Sequence, residues 1–401
     1  MTFEQMWSDL EPIGRDPGTG GYHRFAWSDA DLELREWFTA EAERRGLDVI
    51  EDANGNQFAC WGDLGDGDAL LLGSHLDSVP DGGAYDGPLG VASSFAAVDA
   101  LRTRGIEPRR PIAIGNFTDE EGARFGIACA GSRLLTGTLA PEQARALRDR
   151  DGRTLDEVLR DRGRDPSRLG VDHAILDAIG TFVELHVEQG RSLVDSDAPI
   201  GVATAIWPHG RYRFDFAGEA NHAGTTRMED RRDPMLTYAM TALAANKQAR
   251  LTGARATFGR VETHPNGTNA IASHVSGWLD ARAADEETLK GVVEKVTAQA
   301  IDRAQRDGTS VEMTPESVSG IVEFDTGLRD RVAVMLGDVP VLPTGAGHDA
   351  GVLAAYGIPT AMLFVRNPTG VSHSPAEHAE WDDCVAGVRA LTDVVADLVS
   401  E

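Results

Sequence analysis

The sequence predicts an α/β fold that is interrupted by an inserted α+β domain, and three observations support this prediction. Apolar strand-like runs alternate with helix-like segments up to about residue 208 of the 401-residue chain. The order then changes to strand, helix, strand, strand, helix, strand, and the first pattern returns after about residue 320. We therefore expect a discontinuous main domain, 1–208 with 321–401, and an inserted domain of the ferredoxin-like, split βαβ type at 209–320.

Local signals define the elements of the main domain. Residues 28–46 open with Ser-Asp and end at a glycine, which predicts a helix, and residues 48–62 surround an Asn-Gly pair that is typical of a hairpin. The apolar run at 69–74 predicts a buried strand, residues 90–105 a helix, and residues 111–122 a strand that runs into an acidic turn. This alternation favours a sheet with helices on both faces.

The inserted domain has the same kinds of signal in a different order. Four segments are predicted as strands and two as helices, namely strands at 211–220, 256–264, 274–283 and 309–317 and helices at 233–250 and 285–308. After the insertion, the apolar run at 358–366 predicts a further strand of the main sheet, followed by a C-terminal helix.

Composition excludes several classes of partner. The formal net charge of −26 argues against nucleic acid as a partner, because phosphate binding needs basic surface. No apolar run approaches the roughly 20 residues that span a bilayer, so we expect no membrane partner. The first ten residues lack a basic and apolar signal pattern, and the three cysteines are widely spaced, so we expect reduced thiols and a cytoplasmic location.

Side chains of the kind that bind metals occur at the predicted strand ends and on turns. They are His75, Asp77 and Asp86 after the 69–74 run, the pair Glu120-Glu121, His186, and His373. Each would be weak evidence alone, but loops at the carboxyl ends of strands in an open α/β sheet converge on one crevice. Imidazoles and carboxylates suit zinc and its first-row neighbours, and no cysteine cluster indicates a closed structural site. The pattern predicts a catalytic metal centre.

Residue chemistry suggests some roles within this cluster. Asp77 could orient His75, since a ligating imidazole usually donates its other N–H to an oxygen. Asp86, on an Asp-Gly turn, could bridge two ions. One glutamate of the 120–121 pair could bind metal while the other acts as general base, and the residues alone leave open which is which. Nothing assigns a role to Asp81, which we expect to be a solvent-facing turn residue.

Eight ordered motifs resemble those of a known family. They are GSHLDSVPDGGAYDGPLG, TDEEGARFG, GSR at 131–133, ELHVEQG, GEANHAGTTRMEDRRDPM, NGTNAI, TGAGHDAG and SHSPAEH. In this order they resemble the amidase branch of the di-zinc aminoacylase and carboxypeptidase superfamily, which contains N-carbamoyl-L-amino acid hydrolases, allantoate amidohydrolases and β-ureidopropionases. The resemblance covers nearly the whole chain. It implies a di-metal exopeptidase-like catalytic domain with a lid and dimerisation insertion.

The resemblance also implies residue roles. The metal ligands would be His75, Asp86 as the bridge, Glu121, His186 and His373, which makes Glu120 the general base. His222 would reach the active site of the partner subunit in a homodimer. The substrate would be held by Gln189, His222, Asn269, Arg282 and Gly347. An arginine suits this task because its guanidinium can form a bidentate pair with a carboxylate.

The implied reaction is hydrolysis of a carbamoyl C–N bond by a metal-bridging water, with two divalent ions per subunit. The metal is left open between Zn²⁺, Mn²⁺, Co²⁺ and Ni²⁺, because histidine and carboxylate sites accept all four. The substrate is left open between an N-carbamoyl-L-amino acid and allantoate, with N-formyl or other N-acyl amino acids as an alternative. A dipeptidase or aminopeptidase of the wider superfamily is a second alternative, and a non-catalytic binding protein a third.

Overall fold

The computed structural model describes residues 2–400 and divides the chain into two compact units. The first unit runs up to Ala205 and resumes at Glu323, and the second comprises Ile206–Val322. The inserted domain predicted from the sequence, 209–320, begins and ends a few residues inside this second unit. The difference arises because only Trp207 and Pro208 separate the last strand before the insertion from its first strand, so no linker marks the junction.

The helices of both units are numbered along the chain. They are α1 (Phe3–Leu10), α2 (Asp29–Arg44), α3 (Pro88–Thr103), α4 (Ala130–Leu135), α5 (Pro141–Ala146), α6 (Leu155–Asp161), α7 (His173–Ala178), α8 (Ser192–Asp195), α9 (Pro234–Thr252), α10 (Glu286–Asp307), α11 (Thr326–Met335), α12 (Asp349–Tyr356) and α13 (Trp381–Leu398). Within residues 2–400, none of them combines the length and the apolar character that a membrane crossing requires.

The strands are numbered in the same way. They are β1 (Asp48–Glu51), β2 (Gln57–Trp61), β3 (Ala69–His75), β4 (Ile112–Phe117), β5 (Ile179–Val187), β6 (Ile200–Ile206), β7 (His209–Ala217), β8 (Asn221–His222), β9 (Arg255–His264), β10 (Ala270–Ile271), β11 (His274–Arg282), β12 (Ser310–Ser319), β13 (Val322–Glu323), β14 (Val341–Thr344) and β15 (Thr360–Val365).

The main sheet belongs to the first unit and has the strand order β1-β2-β4-β3-β5-β15-β6-β13, with β14 also paired to β6. Its centre is parallel, since β3 pairs in parallel with β4 and β5, and β5 with β15. Every residue of β3, β4 and β15 is buried. A parallel strand that is covered on both faces needs such a continuous apolar run, which is why the 69–74 and 111–118 segments become strands rather than helices.

Helices of the first unit complete a core with this sheet. The largest apolar cluster joins residues of α1, α2, α3 and α13 to the central strands, and it includes Phe38, Phe95 and Leu391. Local signals set the helix ends. Ser28 accepts a hydrogen bond from the backbone N–H of Asp31 at the start of α2, as an N-cap serine does. The predicted α/β character of this unit is therefore confirmed.

The second unit is an antiparallel sheet with two helices. Its strand order is β12-β7-β11-β9, the ladder pairs β7 with β11 over nine residues, and β8 forms a separate pair with β10. Aromatic side chains of β7, Phe214 and Phe216, pack with apolar residues of α9 and α10. Asp233 and Asp285 cap these helices at their N-termini, and Gly253 and Gly308 end them in the left-handed conformation. This is the predicted ferredoxin-like order of elements.

Candidate metal centre

Parallel strands of the first unit deliver the predicted ligands to one edge of the sheet. His75 is the last residue of β3, and its Cα is in register with Phe117 at the end of β4, three residues before Glu120. His186 lies in β5 opposite Phe364 of β15. Side chains at the carboxyl ends of neighbouring parallel strands therefore meet, as the sequence pattern predicts.

Within the described part of the chain three groups of side chains have the spacing of a metal site; two of them contain Asp86, and the third is Glu184, His186 and His348. His75, Asp86 and His186 form one group, and Asp86, Glu121 and His373 form the other, with the potential ligand atoms of each group within 4.8 Å of one another. Asp86 Oδ1 lies 3.5 Å from His75 Nε2 and 3.1 Å from His186 Nε2. Asp86 Oδ2 lies 3.5 Å from His373 Nε2, which in turn is 3.4 Å from Glu121 Oε2.

These distances fit a shared cation. Ligand atoms bound tetrahedrally at about 2.0–2.2 Å from a zinc ion are roughly 3.3–3.6 Å apart, so the atoms need little movement to coordinate one. Glu120 belongs to neither group, and its Oε2 is 3.8 Å from His75 Nε2. The five residues predicted as ligands thus lie together, with Glu120 beside them.

Hydrogen bonds to the two buried histidines leave their Nε2 atoms free for a cation. His75 Nδ1 lies 3.2 Å from the carbonyl of Asp77, and His186 Nδ1 lies 2.8 Å from the carbonyl of Val187. A carbonyl only accepts, so each Nδ1 carries a hydrogen, and each Nε2 is the ring atom left to bind a proton or a metal ion. Within the described residues these Nε2 atoms are buried without a hydrogen-bond partner. Each Nε2 faces Asp86 Oδ1, so either a proton or a metal ion would satisfy the pair of atoms, and the residues fit a metal ion.

Electrostatics support the same conclusion. Burial would lower the pKa of His186, but the carboxylate of Asp86 raises it to about 9. Burial, together with Asp86 and Glu120, raises the pKa of Glu121 well above its usual range. The site therefore carries more buried negative charge than its own histidines neutralise, and a divalent cation would remove this imbalance.

Glu120 has the surroundings of a general base. Its side chain is buried, and burial raises its pKa to about 7, an effect that the nearby His75 opposes. Cys129 Sγ donates to Oε1 at 3.4 Å, which leaves Oε2 on the side of the histidine. A carboxylate that titrates near neutrality can accept and return a proton within one catalytic cycle.

Asp77 holds the turn that carries both glutamates. Its Oδ1 accepts from the backbone N–H of Glu120 and its Oδ2 from that of Glu121, each at 3.1 Å. The carboxylate is 3.5 Å from His75 Nδ1, farther than the Asp77 carbonyl. The predicted orienting role toward His75 therefore runs mainly through the main-chain carbonyl, and the carboxylate orients the glutamates instead.

The turn that contains Asp86 requires a glycine at position 87. Gly87 has φ of 86°, and a Cβ at this position would lie 2.5 Å from the ring of His75. Only glycine lets the backbone pass this close to the histidine in a left-handed conformation. The glycine-rich motif at 73–90 thus brings Asp86 against His75.

Gln189 and Gly347 are the predicted substrate-binding residues of the first unit. Gln189 Nε2 donates to Asp86 Oδ2 at 2.8 Å, so this side chain contacts the candidate metal centre. Gly347 lies in the exposed segment between β14 and α12, directly before the buried His348. Their roles toward a substrate stay predictions.

His222, Asn269 and Arg282 lie in the second unit, and their contribution to the site stays a prediction. His222 Nδ1 accepts from the backbone N–H groups of Gly224 and Thr225 at 3.0 and 3.2 Å, so the neutral ring carries its hydrogen on the exposed Nε2. The backbone carbonyl of Asn269 accepts from Ala223 at 2.9 Å, which joins the two segments. Arg282, at the end of β11, donates to both carboxylate oxygens of Asp280.

Several buried polar residues beside the centre are missing from the predicted set. Glu184 accepts from Ser74 Oγ at 2.7 Å and from the backbone N–H of Ala350 at 3.1 Å, and the ring of His348 lies 4.5 Å from that of His186. A charged residue in the otherwise apolar TFVELHV strand is the signal that could have indicated Glu184. Glu377, in the motif that contains His373, was likewise not assigned a role.

Asp81 was expected to face solvent, and the structure corrects this expectation in part. Its side chain is 43% exposed, but Oδ1 accepts from Thr19 Oγ1 at 2.5 Å and lies 3.0 Å from His23 Nε2. Asp81 therefore attaches the segment that follows α1 to the loop that follows β3. Contacts between residues about 60 positions apart cannot be read from a turn pattern.

Comparisons with known proteins show which sequences and structures this chain is similar to. The family described as peptidase family M20/M25/M40 matches residues 71–397. An N-carbamoyl-L-amino acid amidohydrolase of Geobacillus stearothermophilus is 37% identical over 98% of each chain, and an allantoate amidohydrolase of Escherichia coli K12 is 31% identical over 95% of this chain and 94% of the relative. The crystal structure of a hydantoinase/carbamoylase family amidase from Burkholderia vietnamiensis superposes with a TM-score of 0.88 at 30% identity, covering 100% of this chain and 98% of that chain.

Proposed function

Because the chain belongs to the M20/M25/M40 peptidase family, we propose that it is a metal-dependent amidohydrolase that cleaves the carbamoyl C–N bond of an N-carbamoyl-L-amino acid or allantoate. The observation that carries this proposal is the pair of ligand groups that share Asp86, with the buried Glu120 beside them. The names of the two relatives described above supply the substrate class.

We propose that two divalent ions bind, one to His75, Asp86 and His186 and the other to Asp86, Glu121 and His373. When bound, the ions would supply Lewis acidity that polarises the substrate carbonyl and makes water a stronger acid. Zn²⁺ and Mn²⁺, with Co²⁺ and Ni²⁺ as alternatives, suit this set of nitrogen and oxygen ligands. The orphaned Nε2 atoms of His75 and His186 support the assignment.

Glu120 then handles the proton. Its free Oε2 faces the ligand cluster, so it can take the proton from the attacking water and return it to the leaving nitrogen. Asp77 and Cys129 hold the backbone and Oε1 of this residue, which keeps Oε2 in one direction. A carbamoyl substrate would yield the amino acid, ammonia and carbon dioxide.

Substrate binding is assigned to residues of both units. Arg282 would pair with the substrate carboxylate through its guanidinium, in place of its present partner Asp280. His222, with its hydrogen on Nε2, would donate to the oxygen of the carbonyl as negative charge develops there. Gln189, Asn269 and Gly347 complete the proposed pocket. We also propose a cytoplasmic location, from the sequence alone.

A panel of substrates tests the proposed reaction. The protein loaded with Mn²⁺ would be incubated with N-carbamoyl-L-amino acids, allantoate, N-formyl amino acids and a dipeptide, and ammonia, formate and free amine would be measured. We expect ammonia from at least one ureido acid, and a large loss of this rate after removal of metal with a chelator. Release of free amine from the dipeptide alone, with no reaction on any ureido acid, would contradict the proposal.

We further propose a homodimer in which His222 acts in the partner subunit's active site. A His222→Ala chain mixed with a Glu120→Gln chain would then regain activity, because one of the two sites in each heterodimer has both residues intact. The heterodimer would be isolated with two affinity tags, and its kcat compared with those of both parent homodimers. Absence of recovery in the isolated heterodimer would show that His222 does not act across subunits.

A further inference from the structure

Glu377 is a buried acid on an exposed segment. It lies between β15 and α13, in the sequence SHSPAEH, and only 5% of its surface is accessible. The residues immediately before and after it, Ala376 and His378, are exposed. A carboxylate rarely becomes buried on such a segment unless its oxygens have partners.

The hydrogen-bond partners described for the Glu377 side chain belong to, or contact, the turn that carries Asp86. Oε1 accepts from the backbone N–H of Tyr85 at 2.9 Å and from that of Asp86 itself at 3.0 Å. Ser372 Oγ lies 3.3 Å from Glu377 Oε2 and 3.2 Å from Asp86 Oδ2. The Glu377 side chain therefore holds the backbone of Asp86, a residue 291 positions earlier in the sequence that both ligand groups share.

The same side chain also limits the turn before Asp86. A Cβ at Gly83 would lie 2.3 Å from Glu377 Oε1, so the carboxylate fits only against a glycine. This close approach shows that the Glu377 side chain is inserted into the turn and does not merely touch its surface. Position 83 of the glycine-rich motif is thereby explained.

His373 lies on the segment that Glu377 anchors. Its backbone has φ of 56°, a left-handed conformation that costs energy in residues other than glycine, and its side chain is 49% exposed. By contrast, His75 and His186 are fully buried and fixed in central strands. Of the two ligand groups, the one that contains His373 thus depends more on contacts outside the sheet.

We propose that Glu377 is a positioning residue that docks the His373 segment on the Asp86 turn and so assembles the ligand group Asp86, Glu121 and His373. This inference rests on the proposed two-ion function and adds to it a residue that contacts neither ion. In the other group His75 and His186 lie in β3 and β5, and only Asp86 lies on the turn that Glu377 contacts, so this group depends less on Glu377. Loss of Glu377 should therefore weaken the ion of the group that contains His373 much more than the other ion.

Mn²⁺ binding to the full-length apo protein tests this role. Isothermal titration would give two binding events for the wild-type chain, and His373→Ala would identify the event that belongs to the group containing His373. We expect Glu377→Ala to weaken that same event by about 10–100-fold, the usual effect of losing a residue that orients a ligand, and to change the other event little. Glu377→Gln should lie between, because its amide oxygen can still accept from Tyr85 and Asp86.

Two comparisons separate positioning from general destabilisation. Glu380→Gln removes a neighbouring acid whose side chain is 63% exposed, and should bind both ions as the wild-type chain does. In the double variant His373→Ala/Glu377→Ala, the second substitution should weaken the affected event no further, since both act on one group. Melting temperatures of the apo proteins would be recorded in parallel, and Ser372→Ala serves as a milder probe if Glu377→Ala does not fold.

The outcomes are distinct. If Glu377→Ala bound both ions as tightly as the wild-type chain, the proposed role of Glu377 would be overturned while the two-ion proposal would stand. The same conclusion would follow if both ions were weakened equally and the effects were additive in the double variant. A wild-type chain that binds fewer than two Mn²⁺ ions would overturn the two-ion proposal, and with it this inference.

Discussion

Replacement of Glu120 by glutamine is expected to reduce kcat by about 10²–10⁴-fold while metal content stays at the wild-type level. The amide has nearly the same size as the carboxylate and can still contact Cys129, so the turn keeps its shape. It cannot accept a proton from water, however, and it stays buried beside His75. Ammonia release under substrate saturation, together with metal analysis of the same sample, measures both quantities.

A matched control for this variant is Glu142→Gln on α5. The Glu142 side chain is 79% exposed and pairs only with its neighbour Arg145 among the contacts described for it, so the same chemical change should leave kcat unaltered. If Glu120→Gln turned over substrate at near the wild-type rate with metal bound, Glu120 would not be the base. The adjacent Glu121 would then have to be tested in the same way.

Replacement of Asp86 by asparagine is expected to weaken binding of both ions, because Asp86 is the one residue that the two ligand groups share. Loss of a ligand that belongs to one group, as in His186→Ala or His373→Ala, should weaken one ion only. Metal content after dialysis against a weak chelator distinguishes these cases. An Asp86→Asn protein that lost one ion and kept the other would show that Asp86 does not bridge.

Stabilisation of the protein by added metal should be smaller in the Asp86 variant than in the wild-type chain. In the apo protein Asp86 lies near His75 and His186. Burial alone would raise the pKa of Asp86, but these two rings keep it well below its usual range. Bound ions stabilise the native state by mass action, so the melting temperature of the wild-type chain should rise with added Mn²⁺. In Asp86→Asn this rise should be much smaller.

Strong local patterns explain why most elements could be predicted from the sequence. The continuous apolar runs that became β3, β4 and β15 are demanded by burial on both faces of a parallel sheet, and few other structures accommodate them. The helix capped by Ser28 and the hairpin around Asn54 and Gly55 follow from side-chain and backbone preferences within a few residues.

The convergence of the ligands followed from the same topology. His75 and His186 lie in neighbouring parallel strands, so the prediction of an open α/β sheet with ligands toward the carboxyl ends of its strands sufficed to bring them together. The glutamate pair needed more, since both residues sit on one turn after β4. The resemblance to the family distinguished them, and the structure adds that only Glu121 lies within a ligand group with Asp86 and His373.

Long-range contacts of loops were beyond the reach of sequence patterns. Asp81 binds Thr19 and His23, and Glu377 binds the Asp86 turn 291 positions away. No periodicity or spacing in the sequence predicts either contact, because each depends on how two loops pack. The contacts of the Asp77 carboxylate with the backbone of Glu120 and Glu121 were not predicted for the same reason, and they add to its contact with His75.

Anomalous diffraction from crystals grown with Mn²⁺ tests the central claim most directly, since it locates ions without reference to activity. We predict two peaks flanking the carboxylate of Asp86, one in contact with His75 and His186 and the other with Glu121 and His373. A single peak, or peaks that do not share Asp86, would contradict the two-ion centre on which the proposed hydrolysis rests.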